Sequence, residues 1–228
     1  MDAATRKIVE RATVRIGERT KHAQGVLVAG PLVLTAAHCV TWDARGRMAL
    51  GELVIEMVRK GRNRFRMEVL AAEPVADIAI LGPVDDQQPE LIDDYDAFQA
   101  WADRTTPLRV APWDPPPWRP ALGPGGEVIR PAAEQLVVRL AVHLRTVKSI
   151  WIDGHVVQRL GGRVRWPMVG LEMAGAIPSG TSGGPIVDDE GQLVGVVSSS
   201  AKCPILSRAL PRWAWSHIVT IQGDVEPQ

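Results

Sequence analysis

Cysteine is nearly missing from this chain: 228 residues hold two, Cys39 and Cys203. A secreted enzyme of this size more often carries several bridges, so two isolated thiols fit a reducing compartment. Long apolar runs are missing as well. Charge interrupts everything up to Lys21, unlike the apolar stretch of a secretory leader, and no run approaches the ~20 residues of a membrane span. Net charge is absent too, since 26 basic and 26 acidic residues cancel. That balance argues against wholesale attraction to nucleic acid or to an anionic membrane. Lysine is scarce, 5 against 21 arginines, a bias that reads as genome composition rather than phosphate binding. The expectation is a cytoplasmic protein with neither a membrane nor a nucleic-acid partner.

What is present is a core-forming, strand-rich chain. Hydrophobic residues make up 46% and charged residues 23%, which excludes global disorder. Short β-rich runs occupy 11–16, 25–29, 32–35, 53–58, 65–70 and 77–81, and Gly30-Pro31 marks a turn between the second and third. From Gly82 to Pro131 the composition shifts to Pro, Asp and Trp, which suits a linker or belt, with one short helix at 94–102. A second strand block follows at 136–142, 151–157, 164–173, 186–187 and 193–198, with a turn at 188–191 and a terminal helix near 208–218. Many short strands with turns between them indicate a barrel or sandwich.

Three motifs carry the chemistry. Gly180-Thr181-Ser182-Gly183-Gly184-Pro185 crowds small residues round one serine, so the backbone can turn sharply and lift its hydroxyl. A serine alone is a poor nucleophile near neutral pH; it needs a base, and the base needs an orienting group. Thr35-Ala36-Ala37-His38-Cys39 offers the base and Asp77-Ile78-Ala79-Ile80-Leu81 the carboxylate. The order His38, Asp77, Ser182, with gaps of 39 and 105 residues, is one of three known chain orders for such a triad.

These blocks resemble the trypsin-like (chymotrypsin-fold) serine peptidases, the bacterial zymogen-free branch most of all, over roughly 14–200. The resemblance implies an all-β fold of two antiparallel six-stranded Greek-key β-barrels with a short C-terminal helix. It divides the chain into 1–112, carrying His38 and Asp77, and 113–228, carrying Ser182, with the Pro-rich linker at 82–131. By motif position Ser182 is the nucleophile, His38 the general base and then acid, and Asp77 its orienter. The N–H groups of Gly180 and Ser182 form the oxyanion hole, and Ser198 matches the family serine that bonds the aspartate. No cofactor is implied, and the partners are a protein or peptide substrate and an activating or regulatory protein. A protease cutting one particular protein in a bacterial regulatory or defence system fits this picture.

Departures from the family pattern set further expectations. Thr181 stands where the digestive enzymes carry an aspartate that pairs with a freshly cleaved N-terminus, so no activation of that kind is expected. Ala176, six residues before Ser182, stands where trypsin-like specificity requires an acid. With Ile177 beside it and Ser198, Ser199 and Ser200 as the wall, the resemblance implies cleavage after small or medium apolar residues. Two other readings remain open: a latent protease-fold binding module that needs a partner, and an esterase on the same scaffold. The basic run Arg59 to Arg64 reads as a solvated hairpin tip. His22, His143, His155 and His217 lack metal-ligand spacing, and the tryptophans, Trp113 and Trp118 included, read as packing. The usual half-cystine partners of Cys39 and Cys203 are not cysteines here, and the two family positions are not neighbours. A thiol titration of the denatured, unreduced protein should therefore find both sulfhydryls. Finding none would remove the compartment argument.

Overall fold

The computed structural model describes residues 1–16, 23–40, 55–58, 64–113, 121–122, 124–125, 128–129, 135–160, 168–199 and 202–224. Helix α1 (Ala3–Ala12) starts at Asp2, whose carboxylate accepts the Thr5 N–H at 2.7 Å and so takes up one of the donors a helix start leaves over. Strand β1 (Thr13–Ile16) follows with only Arg15 outward. β2 (Ala23–Val28) and β3 (Leu32–Thr35) are buried along their whole length. β4 (Ile55–Val58), β5 (Arg64–Glu73) and β6 (Ile78–Pro83) complete the first set. The six close into a barrel in the order β1-β2-β3-β6-β5-β4, with β1 pairing back to β4. Helix α2 (Ile92–Ala102) lies against β5 and β6. Its Phe98 and Trp101 meet Phe65 of β5 in a three-ring cluster with centroids 5.8–5.9 Å apart, edge-on or tilted as ring quadrupoles prefer.

Beyond a two-residue hairpin of β7 (Ala121–Leu122) and β8 (Val128–Ile129), the second strand set begins. It comprises β9 (Gln135–Arg145), β10 (Trp151–Leu160), β11 (Met168–Met173), β12 (Pro185–Val187), β13 (Leu193–Val196) and β14 (Lys202–Pro204). These form a six-stranded antiparallel sheet in the order β13-β12-β9-β10-β11-β14. Its two edges approach each other through an isolated bridge between Ser199 and Lys202. Helices α3 (Leu206–Ala209) and α4 (Arg212–Asp224) end the described chain.

The lobes share a core. Val187, Leu193 and Val196 from the second sheet, and Leu206, Ala214 and Ile218 from the last helices, pack in one cluster with the first barrel. A smaller cluster around Val142, Leu144, Val156 and Ile186 fills the second lobe. The connector is stitched to both: Leu108 N–H donates to Leu27 O at 2.9 Å, and Leu193 N–H to Arg109 O at 2.7 Å.

The fold is mostly β, as the sequence indicates. The first barrel closes, and the second set of six is a sheet joined edge to edge by the single bridge. Three elements differ from expectation. Residues 11–12 belong to α1 rather than to a strand, because Val9 and Ala12 are fully buried and the helix carries them into the core. The terminal helical region runs from Leu206 to Asp224, further than 208–218. The strand expected at 77–81 continues to Pro83, into the stretch read as linker. Expectations at His22, 53–54, 59–63, 114–118, 164–167 and Ser200 lie outside the described residues. Both cysteines are free, Cys203 fully buried and Cys39 partly so, and burial pushes the Cys203 thiol up to about 12. Among the described residues, no helix is long and apolar enough to cross a membrane. Phe98 is 0% exposed at the centre of the ring cluster, so Phe98→Ala should cost about 3–5 kcal/mol in urea unfolding. A loss under about 1 kcal/mol would mean that α2 is not docked there.

Candidate active site

His38 sits in a 3-10 turn (Ala37–Cys39) directly after β3, on a floor of the buried residues Ala36 and Ala37. That turn points the imidazole outward, its side chain 49% exposed. Asp77 faces it from the turn between β5 and β6. Its φ is 52, in the left-handed region that aspartate tolerates better than most residues. A non-glycine residue held there costs of order 1–3 kcal/mol and is a mark of functional sites. The conformation aims the carboxylate at His38: Nδ1 lies 2.8 Å from Oδ2, and the His38 N–H donates to Oδ1 at 2.9 Å. Ser198, 7% exposed and just beyond β13, donates its hydroxyl to Asp77 Oδ2 at 2.5 Å. One carboxylate thus receives three donors, two from its own lobe and one from the other.

Charge follows from this geometry. Burial works to raise the Asp77 carboxyl, but the hydrogen bonds from His38 and Ser198 outweigh it and hold the group below the usual range. The Asp77 hydrogen bond, followed by the neighbouring Cys39 thiol, pushes the His38 imidazole up to about 10, against an opposing effect of burial.

Ser182 is fixed through its main chain. Its carbonyl accepts the Gln24 N–H of β2 at 2.8 Å, and Gln24 O in turn accepts the Thr35 hydroxyl at 2.7 Å. Gly183 N–H donates to Val197 O at 2.7 Å, and Val197 N–H to Gly184 O at 2.9 Å. Gly183 has φ +76, and a Cβ there would stand 2.0 Å from Gln24 O and 2.3 Å from the Thr35 hydroxyl. Only glycine fits. Gly180 also has positive φ, +83. Among the described residues, no hydrogen bond takes up the N–H of Gly180 or of Ser182, and none joins the Ser182 hydroxyl to His38.

A serine hydroxyl, a carboxylate-bound imidazole and two unclaimed N–H groups on one turn are the parts of an acyl-transfer site. A family model described as the trypsin-like peptidase domain matches residues 23–196. The chain belongs to that family. Its activity class is accordingly that of a serine peptidase, a hydrolase acting on protein or peptide substrates. Among solved structures it is similar to the inactive form of Rv3671c from M. tuberculosis H37Rv, as a serine-to-alanine mutant, with 17% identity and TM-score 0.52. The match covers 100% of this chain and 96% of that one. The inactive form of the Rv3671c protease matches with 18% identity and TM-score 0.52 over 96% of each chain. A human pathogenic astrovirus serine protease follows at 14% identity and TM-score 0.49, over 88% of this chain and 94% of the other. At these identities the likeness speaks to the fold. A search of curated proteins gives no match.

The remaining expected residues are more dispersed. Ala176 is exposed in the segment after β11, Ile177 packs against the second core, and Ser199 is exposed at the edge bridge. Two well-formed cavities lie away from Ser182, His38 and Ala176. One, of about 470 Å³, lies on the outer face of β9, β10 and β11 around His143, Asp153 and His155. The other, of about 390 Å³, lies between the β2–β3 turn, the connector and α4. Among the described residues no group of three His, Cys, Asp or Glu is placed to hold a metal ion.

Sequence reasoning missed Gln24 and the link from Thr181 to Val147 described below. Gln24 acts through main-chain atoms, which any residue supplies, so no side-chain signal marks it. A base must be neutral to accept a proton, and a group held near 10 is mostly protonated at pH 7. Activity of the free enzyme should therefore climb about tenfold per pH unit from 7 to 9. A kcat/KM profile already flat at pH 7 would contradict that proton affinity.

Proposed function

We propose that the chain is an endopeptidase that cleaves peptide bonds through an acyl-enzyme on Ser182, with His38 as general base and then acid. Asp77 holds the His38 tautomer and stabilises the imidazolium without itself taking the proton. The N–H groups of Gly180 and Ser182 receive the oxyanion of the tetrahedral intermediate. The observation that carries this reading is the 2.8 Å contact of His38 Nδ1 with an Asp77 carboxylate that Ser198 also binds. Such a carboxylate stays ionised and keeps Nε2 free to face a hydroxyl. Ala176 and Ile177, with Ser198, Ser199 and Ser200, are assigned to the primary specificity site. None of them offers a counter-charge to a basic side chain, so small or medium apolar residues are preferred there. The target is one particular protein.

A second reading has its own support. The Ser182 hydroxyl makes no hydrogen bond to His38 among the described residues, and the Asp77 hydrogen bond raises the affinity of the imidazole for a proton. Both fit a resting site that a protein partner or the substrate itself brings into register, since catalytic hydrogen bonds commonly tighten only in the complex.

A fluorophosphonate probe separates these readings. Stoichiometric labelling of the wild type, lost in Ser182→Ala, is the expected result for a competent site. Turnover should fall by a factor on the order of 10⁶ in that variant, with the melting temperature within a few degrees. Residual turnover at the wild-type level would give the nucleophile to another residue. Absence of labelling in a folded wild type would favour the latent state.

A further inference from the structure

Thr181 is fully buried directly before the proposed nucleophile, although its type is ordinarily found at the surface. Its hydroxyl oxygen accepts the Val147 N–H at 3.3 Å. Val147 belongs to the turn between β9 and β10, and that turn is tightly built. Thr146 N–H donates to Ile150 O at 2.8 Å, Ser149 N–H to Thr146 O at 2.8 Å, and Ile150 N–H to the Thr146 hydroxyl at 3.2 Å. Ser149 is held at φ 62, and Arg145 Nη2 donates to its hydroxyl at 2.9 Å. The base of the turn is buried at Thr146, 0% exposed, while its tip is open, with Ile150 57% exposed.

The main chain of Thr181 is just as constrained. Its N–H donates to Pro178 O at 3.3 Å, and its carbonyl accepts the Gly184 N–H at 2.9 Å. The peptide plane joining Thr181 to Ser182 carries the Ser182 N–H, so whatever fixes Thr181 also fixes the direction of that donor. Gly180 and Gly183, both at positive φ, flank the pair and offer little resistance to rotation. Conformational control has to come from the residue between them.

We infer that Thr181 is a positioning residue for the peptidase reaction: through the hydrogen bond from Val147, the rigid β9–β10 turn holds the oxyanion-binding N–H groups in place. This rests on Ser182 being the nucleophile. The link does by a neutral, internal bond what a newly cleaved chain end does elsewhere. It leaves the open tip of the turn as the surface at which a distortion would be felt at the oxyanion site.

Thr181→Val keeps the shape and removes the acceptor, whereas Thr181→Ser keeps the hydroxyl. Fluorophosphonate labelling rate and peptide kinetics are measured on full-length wild type and both variants, and hydrogen exchange is followed at the Val147 amide. Thr181→Val should lower kcat and the labelling rate roughly tenfold with KM within about twofold, while Thr181→Ser stays within about twofold of wild type. The Val147 amide should be protected in wild type and Thr181→Ser and exchange freely in Thr181→Val. Wild-type rates in Thr181→Val, an equal loss in Thr181→Ser, or an unprotected Val147 amide in wild type would each overturn the inference alone. Wild type that does not label would favour the latent state of the site, and the inference that Thr181 holds a working oxyanion site would fall with it.

Discussion

The close approach of the nucleophile turn to strand β2 is the constraint on which the rest of this structure depends. Gln24 N–H reaches Ser182 O at 2.8 Å, and Gly183 lies beneath with no room for a single added carbon. The contact crosses between the lobes, so the candidate nucleophile of one half is measured against the barrel that carries His38 and Asp77. A buried main-chain bond in a region of low dielectric is costly to leave unmade. The two lobes are therefore held to one relative position at the turn that carries Ser182. Ser198 makes a second crossing by binding Asp77 from the far lobe.

The remaining inter-lobe contacts support that alignment. Helix α1 leads into the first barrel but lies against the second sheet: the Arg6 guanidinium stands 5.5 Å from the Trp151 ring, and Glu10 accepts from Trp151 Nε1 at 3.4 Å. Such contacts are individually modest. Val9 and Ala12 add fully buried apolar surface on the same helix, and that burial contributes most of what fixes it. The connector around Leu108 to Ala111 hydrogen-bonds to both halves. It acts as a belt rather than a hinge.

Much of the fold was legible because a half-buried strand writes itself into the sequence as alternation, and a fully buried one as a short apolar run between turns. β2, β3, β6 and β13 are of the second kind and fall close to their expected places. Helix α1 was not legible. Arg6, Lys7, Glu10 and Arg11 interrupt any apolar pattern, and its buried positions are only Val9 and Ala12. The triad candidates were legible for a different reason. Histidine, aspartate and serine stand in recognisable local frames, and the glycines round Ser182 are required by positive φ and close packing that no other residue satisfies.

Local residue type and spacing carry the family, the strand-rich architecture and the candidacy of His38, Asp77 and Ser182. How these groups meet depends on the packed chain. The carboxylate shared by His38 and Ser198, the Gln24 tie to the turn at Ser182 and the Val147 bond to Thr181 all join residues distant in the chain. Two of these use backbone N–H groups that every residue but proline possesses. Composition and motif carry no trace of the Gln24 and Val147 bonds; they exist only once the strands and turns are packed.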